Sequence, residues 1–243
     1  YCCCCWWWWW CCCCCSVLTF VSIRYQPHRT GVAVPHNPLI NAGAIMCCSL
    51  IEEGTSIEHK INTVLGYWER LIGHQNKCEI NQDMYQSESS TADRNRCLAY
   101  MMNEAHAFPD KAVLEQELEF YFMCCSQMQT AESMAIVAST LANGGRCPTT
   151  NERIFSPETV QSVLSVMFTC GMYDFSGQFS FTMGFPAKSG VAGACMIVVP
   201  NVMGICTWSP RYVVCCSFDQ LLLLFVVHLF PVFLSTTSPP GWT

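Results

Sequence analysis

A short polar turn late in the chain has residue types that could take part in catalysis. The segment FSGQFSFTMGFPAKSGVAGACMIVVPNVMG, residues 175–204, contains Lys188, Ser189 and Gly190. A lysine between small residues at the edge of a strand can serve a serine nucleophile during acyl transfer. Other polar residues that also lie in apolar surroundings are Asn41, Glu88, Asn95, Tyr121 and Tyr173.

Each of these other residues, taken alone, also has a structural interpretation. Asn41 could cap the helix that it begins. Glu88 and Asn95 are seven residues apart, which places them two turns apart on one helical face that could be solvated. Tyr121 lies in the apolar stretch EFYFMCC, and such a residue by default belongs to the core. These residues can therefore form one functional site only if the fold brings them together.

The elements that must position these residues are predicted to be mostly helices. Residues 35–53 predict a turn followed by an apolar helix, and Thr55 with Glu58 predicts a capping box at the start of an amphipathic helix. This second helix faces the core, and we assign it no chemistry. Further helices are predicted after residues 87–95, from Asp110, from Thr130, and from Ser156 to Gly171.

The pattern changes after Gly171. FSFTMGF, ACMIVV and MGICTW predict three strands, and the last two form a hairpin that turns at Pro200 and Asn201. Helices first and strands last predict an α+β fold in which a helical cluster packs on an antiparallel sheet.

Composition excludes some functions. The net charge of −6 and the scattered Lys and Arg residues argue against nucleic acid as a partner. The chain has 21 cysteines, but outside residues 2–15 none forms a Cys-x-x-Cys pair or a Cys/His cluster with zinc spacing. We therefore expect buried thiols in a reducing compartment, and neither a metal nor a cofactor.

The two ends differ from the middle of the chain. Residues 1–33 include CCCCWWWWWCCCCC, which has no periodicity typical of a packed helix or strand. They are predicted to be low-complexity, non-native sequence without a secretory signal. Residues 34–210 are predicted to form one domain. Residues 211–243 are predicted to be a non-native apolar tail. A membrane anchor within residues 213–234 is an alternative, although the apolar stretch is shorter than the roughly 20 residues that span a bilayer.

Seven segments carry a resemblance to a known family. They are PHNPLINAGAI, SESSTADRN, ELEFYFMCCS, TLANGGRCP, CGMYDFSGQF, PAKSGVAGA and VVPNVMG. In this order they resemble the serine-dependent glutaminases, and the animal kidney/liver type in particular. The resemblance implies a fold like that of β-lactamases and DD-peptidases, here with its N-terminal part missing. It also implies hydrolysis of L-glutamine to L-glutamate and ammonia.

The resemblance implies roles for particular residues. Glu88 would hold the ammonium group of the substrate, and neutral donors would hold its carboxylate. Tyr173 would pass a proton to the leaving ammonia, and the Val191 N–H would be one oxyanion donor. Lys188, Ser189 and Gly190 would form a structural turn at the active site. The full set that matches substrate-binding positions is Asn41, Glu88, Asn95, Tyr121, Tyr173 and Val191.

The family nucleophile is the serine of a Ser-x-x-Lys motif, and the 243 residues contain none. The nearest approach, Ser56 and Lys60, is four residues apart and lies in a predicted core helix. We therefore expect this polypeptide to be a glutaminase domain without hydrolytic activity of its own.

Alternative functions remain open from the sequence. One is a non-catalytic fragment that binds glutamine or joins intact subunits. Another is a β-lactamase or peptidase, which Lys188-Ser189-Gly190 alone would permit and which NAGAI and CGMYDFSGQF argue against. The resemblance further implies a homo-oligomer, a tetramer in the family, and a mitochondrial location.

Overall fold

The computed structural model describes residues 37–74, 77–209 and 232–233, and these form the predicted α+β arrangement. The helices are α1 (Asn41–Ser49), α2 (Ile57–Leu71), α3 (Gln82–Ser90), α4 (Asp93–Glu104), α5 (Leu114–Cys125), α6 (Ala131–Ala142), α7 (Pro157–Cys170) and α8 (Ser176–Met183), with a 3-10 turn at Tyr173–Phe175. The strands are β1 (Ala187–Ser189), β2 (Ala194–Val199), β3 (Met203–Trp208) and β4 (Val232–Phe233).

Helix α1 is buried because its residues are small and apolar. Gly43 through Ser49 are all buried. At Gly43 an added Cβ would lie 2.1 Å from the carbonyl oxygen of Asn37, so the turn before the helix packs directly on its backbone. The predicted turn and helix in residues 35–53 are therefore confirmed over residues 37–49.

Two predicted helix starts are wrong. Helix α2 is capped by Ser56, whose Oγ accepts from the His59 N–H at 3.3 Å, while Thr55 donates its hydroxyl to Glu52 instead. Helix α5 begins at Leu114 rather than after Asp110. Residues 109–112 instead form a turn in which Ala112 N–H donates to the Pro109 carbonyl.

Two other helix starts are confirmed. Thr130 and Ser133 form a reciprocal capping box at the start of α6, with hydrogen bonds of 3.0 and 3.1 Å. Ser156 caps α7 by accepting from the Thr159 N–H, and Pro157 occupies the first helical position. These caps satisfy amide donors that the helix itself leaves without partners.

The four strands form one antiparallel sheet in the order β1-β2-β3-β4. Helix α6 packs against β2 and β3. At Gly204 of β3, an added Cβ would lie 2.1 Å from the backbone nitrogen of Ser139, so only glycine allows this close approach. The hairpin predicted at Pro200 and Asn201 is confirmed, and Asn201 there has a φ of 61°.

The prediction of a strand at FSFTMGF is wrong, because residues 176–183 form helix α8. Alternating Phe and polar residues fit a strand, but they also fit a short helix that docks on one side. Ser180 donates its hydroxyl to the Phe168 carbonyl of α7, which holds α8 against that helix. Gly184, with a φ of 72°, then ends α8.

The position of the turn near Lys188 also needs correction. Lys188 and Ser189 lie in β1, and the turn follows them at Gly190–Gly193. Gly190 N–H donates to the Ala194 carbonyl at 2.8 Å, and Gly193 N–H donates to the Gly190 carbonyl at 3.0 Å. The lysine is therefore fixed by the sheet rather than by a loop.

The predicted ends of the chain lie largely outside the described residues. Residues 1–33 and the segment 213–231 fall there entirely. Within the described part of the chain, no helix is both long and apolar enough to cross a membrane. Most of the cysteines that the structure describes are buried, as the sequence predicts.

Candidate functional site

Asn41 and Asn95 meet at the junction of two helices. Asn41 is the first residue of α1, and its Nδ2 donates to Oδ1 of Asn95 in α4 at 2.8 Å. The alternative that Asn41 caps α1 is wrong, because the cap position belongs to Ile40. Asn95 is buried, and Oδ1 of Asn41 is buried without a hydrogen-bond partner among the described residues. Such an unpaired acceptor is uncommon in a folded core and indicates a place where a ligand could donate a hydrogen bond.

Glu88 is the most unusual ionisable residue in this region. Its side chain is only 5% exposed, and its Oε2 is buried without a hydrogen-bond partner among the described residues. Burial raises the pKa of Glu88 to about 7, because a carboxylate loses its hydration there. A buried carboxylate that forms no ion pair within the described part of the chain is suited to bind a cation from outside.

Glu88 and Asn95 do not lie on one helix as predicted. Helix α3 ends at Ser90, Thr91 N–H donates to the Ser87 carbonyl, and α4 begins at Asp93. Both side chains are nevertheless buried, so the alternative of a solvated helix face is wrong.

Helix α5 connects the residues of this region. It packs against α1, α3 and α4, the helices that carry Asn41, Glu88 and Asn95, respectively. Its own candidate residue, Tyr121, is 1% exposed and contacts the Phe122 ring edge-on at 5.6 Å. Tyr121 thus belongs to the core, as its surroundings predict. It lies on α5, against which the helices of the other three residues pack. We call Asn41, Glu88, Asn95 and Tyr121 the helical part of the site.

Tyr173 and Lys188 form a second group, beside the sheet. The Lys188 Nζ lies 4.9 Å from the centroid of the Tyr173 ring, and it also donates to the Ser189 carbonyl oxygen. Lys188 is buried, whereas Tyr173 is 40% exposed. Ammonium over an aromatic face is attractive, so the two side chains hold each other in place.

The backbone at Tyr173 is unusual. Its φ is 54°, in the left-handed region that a bulky residue rarely occupies. Ser176 stabilises this conformation, since its hydroxyl donates to the Tyr173 carbonyl at 2.6 Å and accepts from the Met172 N–H at 2.9 Å. A non-glycine residue held in this conformation is a feature that clusters at functional sites.

Val191 lies in the turn after β1 and is half-buried. The hydrogen bond from Gly193 N–H to the Gly190 carbonyl closes this turn, and Gly193 has a φ of 88°. We call Tyr173, Lys188 and Val191 the sheet-side part of the site. The role of the Val191 N–H as an oxyanion donor stays a prediction.

Sequence reasoning missed one buried ionic contact. Lys60 of α2 is 3% exposed and pairs with Glu117 of α5, although we assigned no chemistry to α2. A signal was present, because Lys60 lies on the same face of α2 as the buried Val64, Trp68 and Leu71. No group of three or more His, Cys, Asp or Glu side chains could hold a metal among the residues that the structure describes.

Known proteins are similar to this chain in both sequence and fold. The glutaminase family model matches residues 16–212. The chain belongs to the glutaminase family. A Caenorhabditis elegans relative is 50% identical over 177 residues, covering 72% of this chain and 29% of its own length. The rat mitochondrial liver isoform of glutaminase is 46% identical over 177 residues, covering 73% of this chain and 29% of its own length.

A solved glutaminase structure has the same architecture. A Bacillus subtilis glutaminase in covalent complex with 5-oxo-L-norleucine matches with a TM-score of 0.72 and 33% identity, over 82% of this chain and 71% of that chain. The predicted α+β fold of the β-lactamase type is therefore confirmed. The chain spans less than a third of the length of the nematode and rat glutaminases. The family match begins at residue 16, whereas the predicted domain begins at residue 34.

Proposed function

We propose that this glutaminase-family chain binds L-glutamine and its product L-glutamate in the helical part of the site. The observation that carries the proposal is Glu88, whose carboxylate is buried without a hydrogen-bond partner for Oε2 among the described residues. The α-ammonium group of an amino acid would supply the missing cation and donor. Asn41, Asn95 and Tyr121 would supply neutral hydrogen-bonding groups for the remaining polar atoms of the ligand.

The sheet-side part of the site would serve the amide end of the ligand. Tyr173 is exposed enough to meet a ligand, and its phenol would pass a proton to the leaving ammonia. The Lys188 ammonium over the Tyr173 ring would stabilise the negative charge that develops on the phenol oxygen as that proton leaves. The Val191 N–H would donate to the oxyanion of the tetrahedral intermediate.

Binding would not be followed by hydrolysis through the serine mechanism in this chain. The 243 residues contain no serine followed three positions later by lysine, the motif whose serine is the family's nucleophile. Removing the nucleophile of a triad enzyme lowers kcat by roughly 10⁶-fold, which leaves only the effects of binding and the oxyanion hole. We therefore infer a glutamine-binding glutaminase domain without turnover of its own.

Calorimetric titration of the purified chain tests the binding half of the proposal. L-Glutamine and L-glutamate are expected to bind, and D-glutamine, which presents its ammonium and carboxylate in exchanged positions, is expected not to bind. No heat with either L-amino acid at millimolar concentration would contradict the proposal.

An ammonia-release assay tests the catalytic half. The chain and a Glu88→Ala/Tyr173→Phe double variant are expected to release ammonia from L-glutamine at the same background rate. A rate for the unaltered chain well above that of the double variant would show that another nucleophile acts, and would overturn the inferred lack of turnover.

We further propose that this chain forms a homo-oligomer and is located in mitochondria. Family membership supports a homo-oligomer, which light scattering with size-exclusion chromatography measures directly. The name of the rat liver isoform supports a mitochondrial location, which fractionation with an antibody to this chain would test. A monomeric species at micromolar concentration, or recovery outside mitochondria, would contradict the respective proposal.

A further inference from the structure

Lys60 and Glu117 form a buried ion pair between α2 and α5, and neither residue is among those proposed to bind glutamine. Lys60 Nζ donates to both carboxylate oxygens of Glu117, at 2.7 and 2.9 Å. The two side chains are 3% and 6% exposed. Because burying two charges costs much of the energy that their attraction returns, such a pair is weak as a source of stability alone. The pair instead determines which faces of α2 and α5 pack against each other.

The pair fixes α2 against α5 at two points. Lys60 Nζ bonds Glu117 and also lies 5.6 Å from the centroid of the Phe120 ring, in the next turn of α5. Burial raises the pKa of Glu117, the Lys60 ammonium lowers it, and the neighbouring Cys48 and Glu53 raise it. Cys48 belongs to α1, so three helices converge on this carboxylate.

Both α5 and α1 continue from this point to the helical part of the site. Tyr121 follows Glu117 by four residues, which places it one turn farther along the same face of α5. Asn41 precedes Cys48 by seven residues, two turns back along α1. A helix transmits a displacement along its axis, because its hydrogen-bonded backbone is stiff over two turns.

We propose that Lys60 and Glu117 are positioning residues, which set α5 and thereby place Tyr121 for the bound amino acid. This inference rests on the proposed glutamine-binding function. Neither residue touches the ligand in this proposal, so their effect on binding passes through Tyr121. The prediction that α2 takes no part in function would then need revision.

The experiment compares two double variants, each of which removes an ion pair formed by a residue of α2. Lys60→Met/Glu117→Leu replaces the buried pair with apolar side chains, a change that removes the pairing and leaves no charge behind. Arg70→Met/Glu152→Leu is the matched control. It removes a half-exposed ion pair at 2.8 Å that connects α2 to a loop rather than to α5. Tyrosine rings are labelled with ¹³C, and the Tyr121 signal is assigned with Tyr121→Phe.

In the Lys60→Met/Glu117→Leu variant, the Tyr121 ring signal is expected to shift while the Tyr173 signal stays in place. Glutamine Kd is expected to rise roughly tenfold, as when a binding group is displaced by a fraction of an ångström. The control pair is expected to leave the Tyr121 signal in place and Kd within about twofold. Lys60→Arg, which keeps the charge but changes the donor geometry, is measured in the same way if the double variant does not fold.

Two results would overturn the inference. One is an unmoved Tyr121 signal in a folded variant, and the other is an equal shift in the control pair. If the unaltered chain binds no glutamine, the proposed function fails, but the tyrosine signals still decide whether the pair positions Tyr121. A thermal-unfolding change without a signal shift would assign Lys60 and Glu117 a role in stability only.

Discussion

The helical part and the sheet-side part of the site are held in different ways. Glu88, Asn95 and Tyr121 are buried on regular helices, and the core around them fixes their side chains before any ligand arrives. Tyr173 is 40% exposed and sits on a 3-10 turn with a φ of 54°. In the proposed function, recognition would therefore fall to residues of the core, whereas Tyr173, which would act on the amide, lies on strained and accessible backbone.

This difference has an energetic counterpart. In the helical part, the buried Oε2 of Glu88 has no hydrogen-bond partner among the described residues, which costs stability in the absence of a ligand. The sheet-side part instead pairs its buried cation, Lys188, with the Tyr173 ring and the Ser189 carbonyl. Substitution of Glu88 is therefore expected to raise stability and weaken binding, whereas loss of the Tyr173 ring is expected to lower stability and leave binding nearly unchanged.

The largest effect is expected from Glu88→Gln. A pKa raised from 4.5 to about 7 means that ionised Glu88 destabilises the fold above pH 7, by up to about 3 kcal/mol. The amide carries no charge, so at pH 8 the variant should be more stable to denaturant. It should also bind glutamine about 100-fold more weakly, because the ligand ammonium loses its carboxylate.

Glu79→Gln is the control, since Glu79 is exposed and pairs with the exposed Lys77. It should change neither property by more than about 0.5 kcal/mol. A Glu88→Gln protein that binds glutamine normally would mean that the buried carboxylate is not the ammonium site.

One glycine in each part of the site tests how tightly the backbone packs there. At Gly43 a Cβ would lie 2.1 Å from the Asn37 carbonyl, and at Gly171 it would lie 1.8 Å from the Ala187 carbonyl. Each Gly→Ala change should cost about 1–3 kcal/mol, measured by denaturant unfolding. Gly66→Ala, with no atom within 4 Å of its added Cβ, should instead gain up to about 1 kcal/mol on α2.

The two glycine variants should differ in binding. Gly43→Ala shifts the start of α1, which carries Asn41, so glutamine binding should weaken together with stability. Gly171→Ala shifts β1 beside Lys188 and should leave Kd within about twofold, because the helical part is unchanged. Equal losses of binding in both variants would show that the two parts of the site are not independent.

The pH dependence of folding and binding should run in opposite directions. Because the folded-state pKa of Glu88 is raised, its contribution to stability is full below about pH 4.5 and is lost as pH rises through about 7. The ionised form of Glu88, which would bind the ammonium group, is formed as pH rises through about 7. The Kd for glutamine should therefore be about tenfold larger at pH 6 than at pH 8. Calorimetry at both pH values, with Glu88→Gln as the pH-independent reference, measures this difference.

Sequence alone predicts the parts of this fold that depend on local chemistry. Thr130 and Ser156 begin helices as predicted because a cap needs only residues within one turn. The strand predicted at FSFTMGF is wrong because α8 is decided by docking on Phe168, a contact that local alternation does not reveal.

The candidate site shows the same division. Its residues stay a prediction from ordered motifs, and their spacing does not reveal that one helix ends at Ser90, between Glu88 and Asn95. Polar residues at two-turn spacing are compatible with one helix, and only the end of α3 at Ser90 and the start of α4 at Asp93 show that they belong to different ones. The pairing of Lys60 with Glu117 depends on residues 57 positions apart, which no local pattern relates.

The smallest effects are expected at Tyr173. Tyr173→Phe keeps the ring beneath Lys188 and should change neither stability nor Kd beyond about twofold. Tyr173→Asn also tolerates the left-handed backbone but removes the ring, so unfolding should become easier by about 1 kcal/mol while Kd stays nearly constant. Because the phenol would act only when the amide bond breaks, binding alone should not require it. If Tyr173→Asn weakened glutamine binding as strongly as Glu88→Gln, Tyr173 would belong with the residues that recognise the ligand, and the division between the two parts would be wrong.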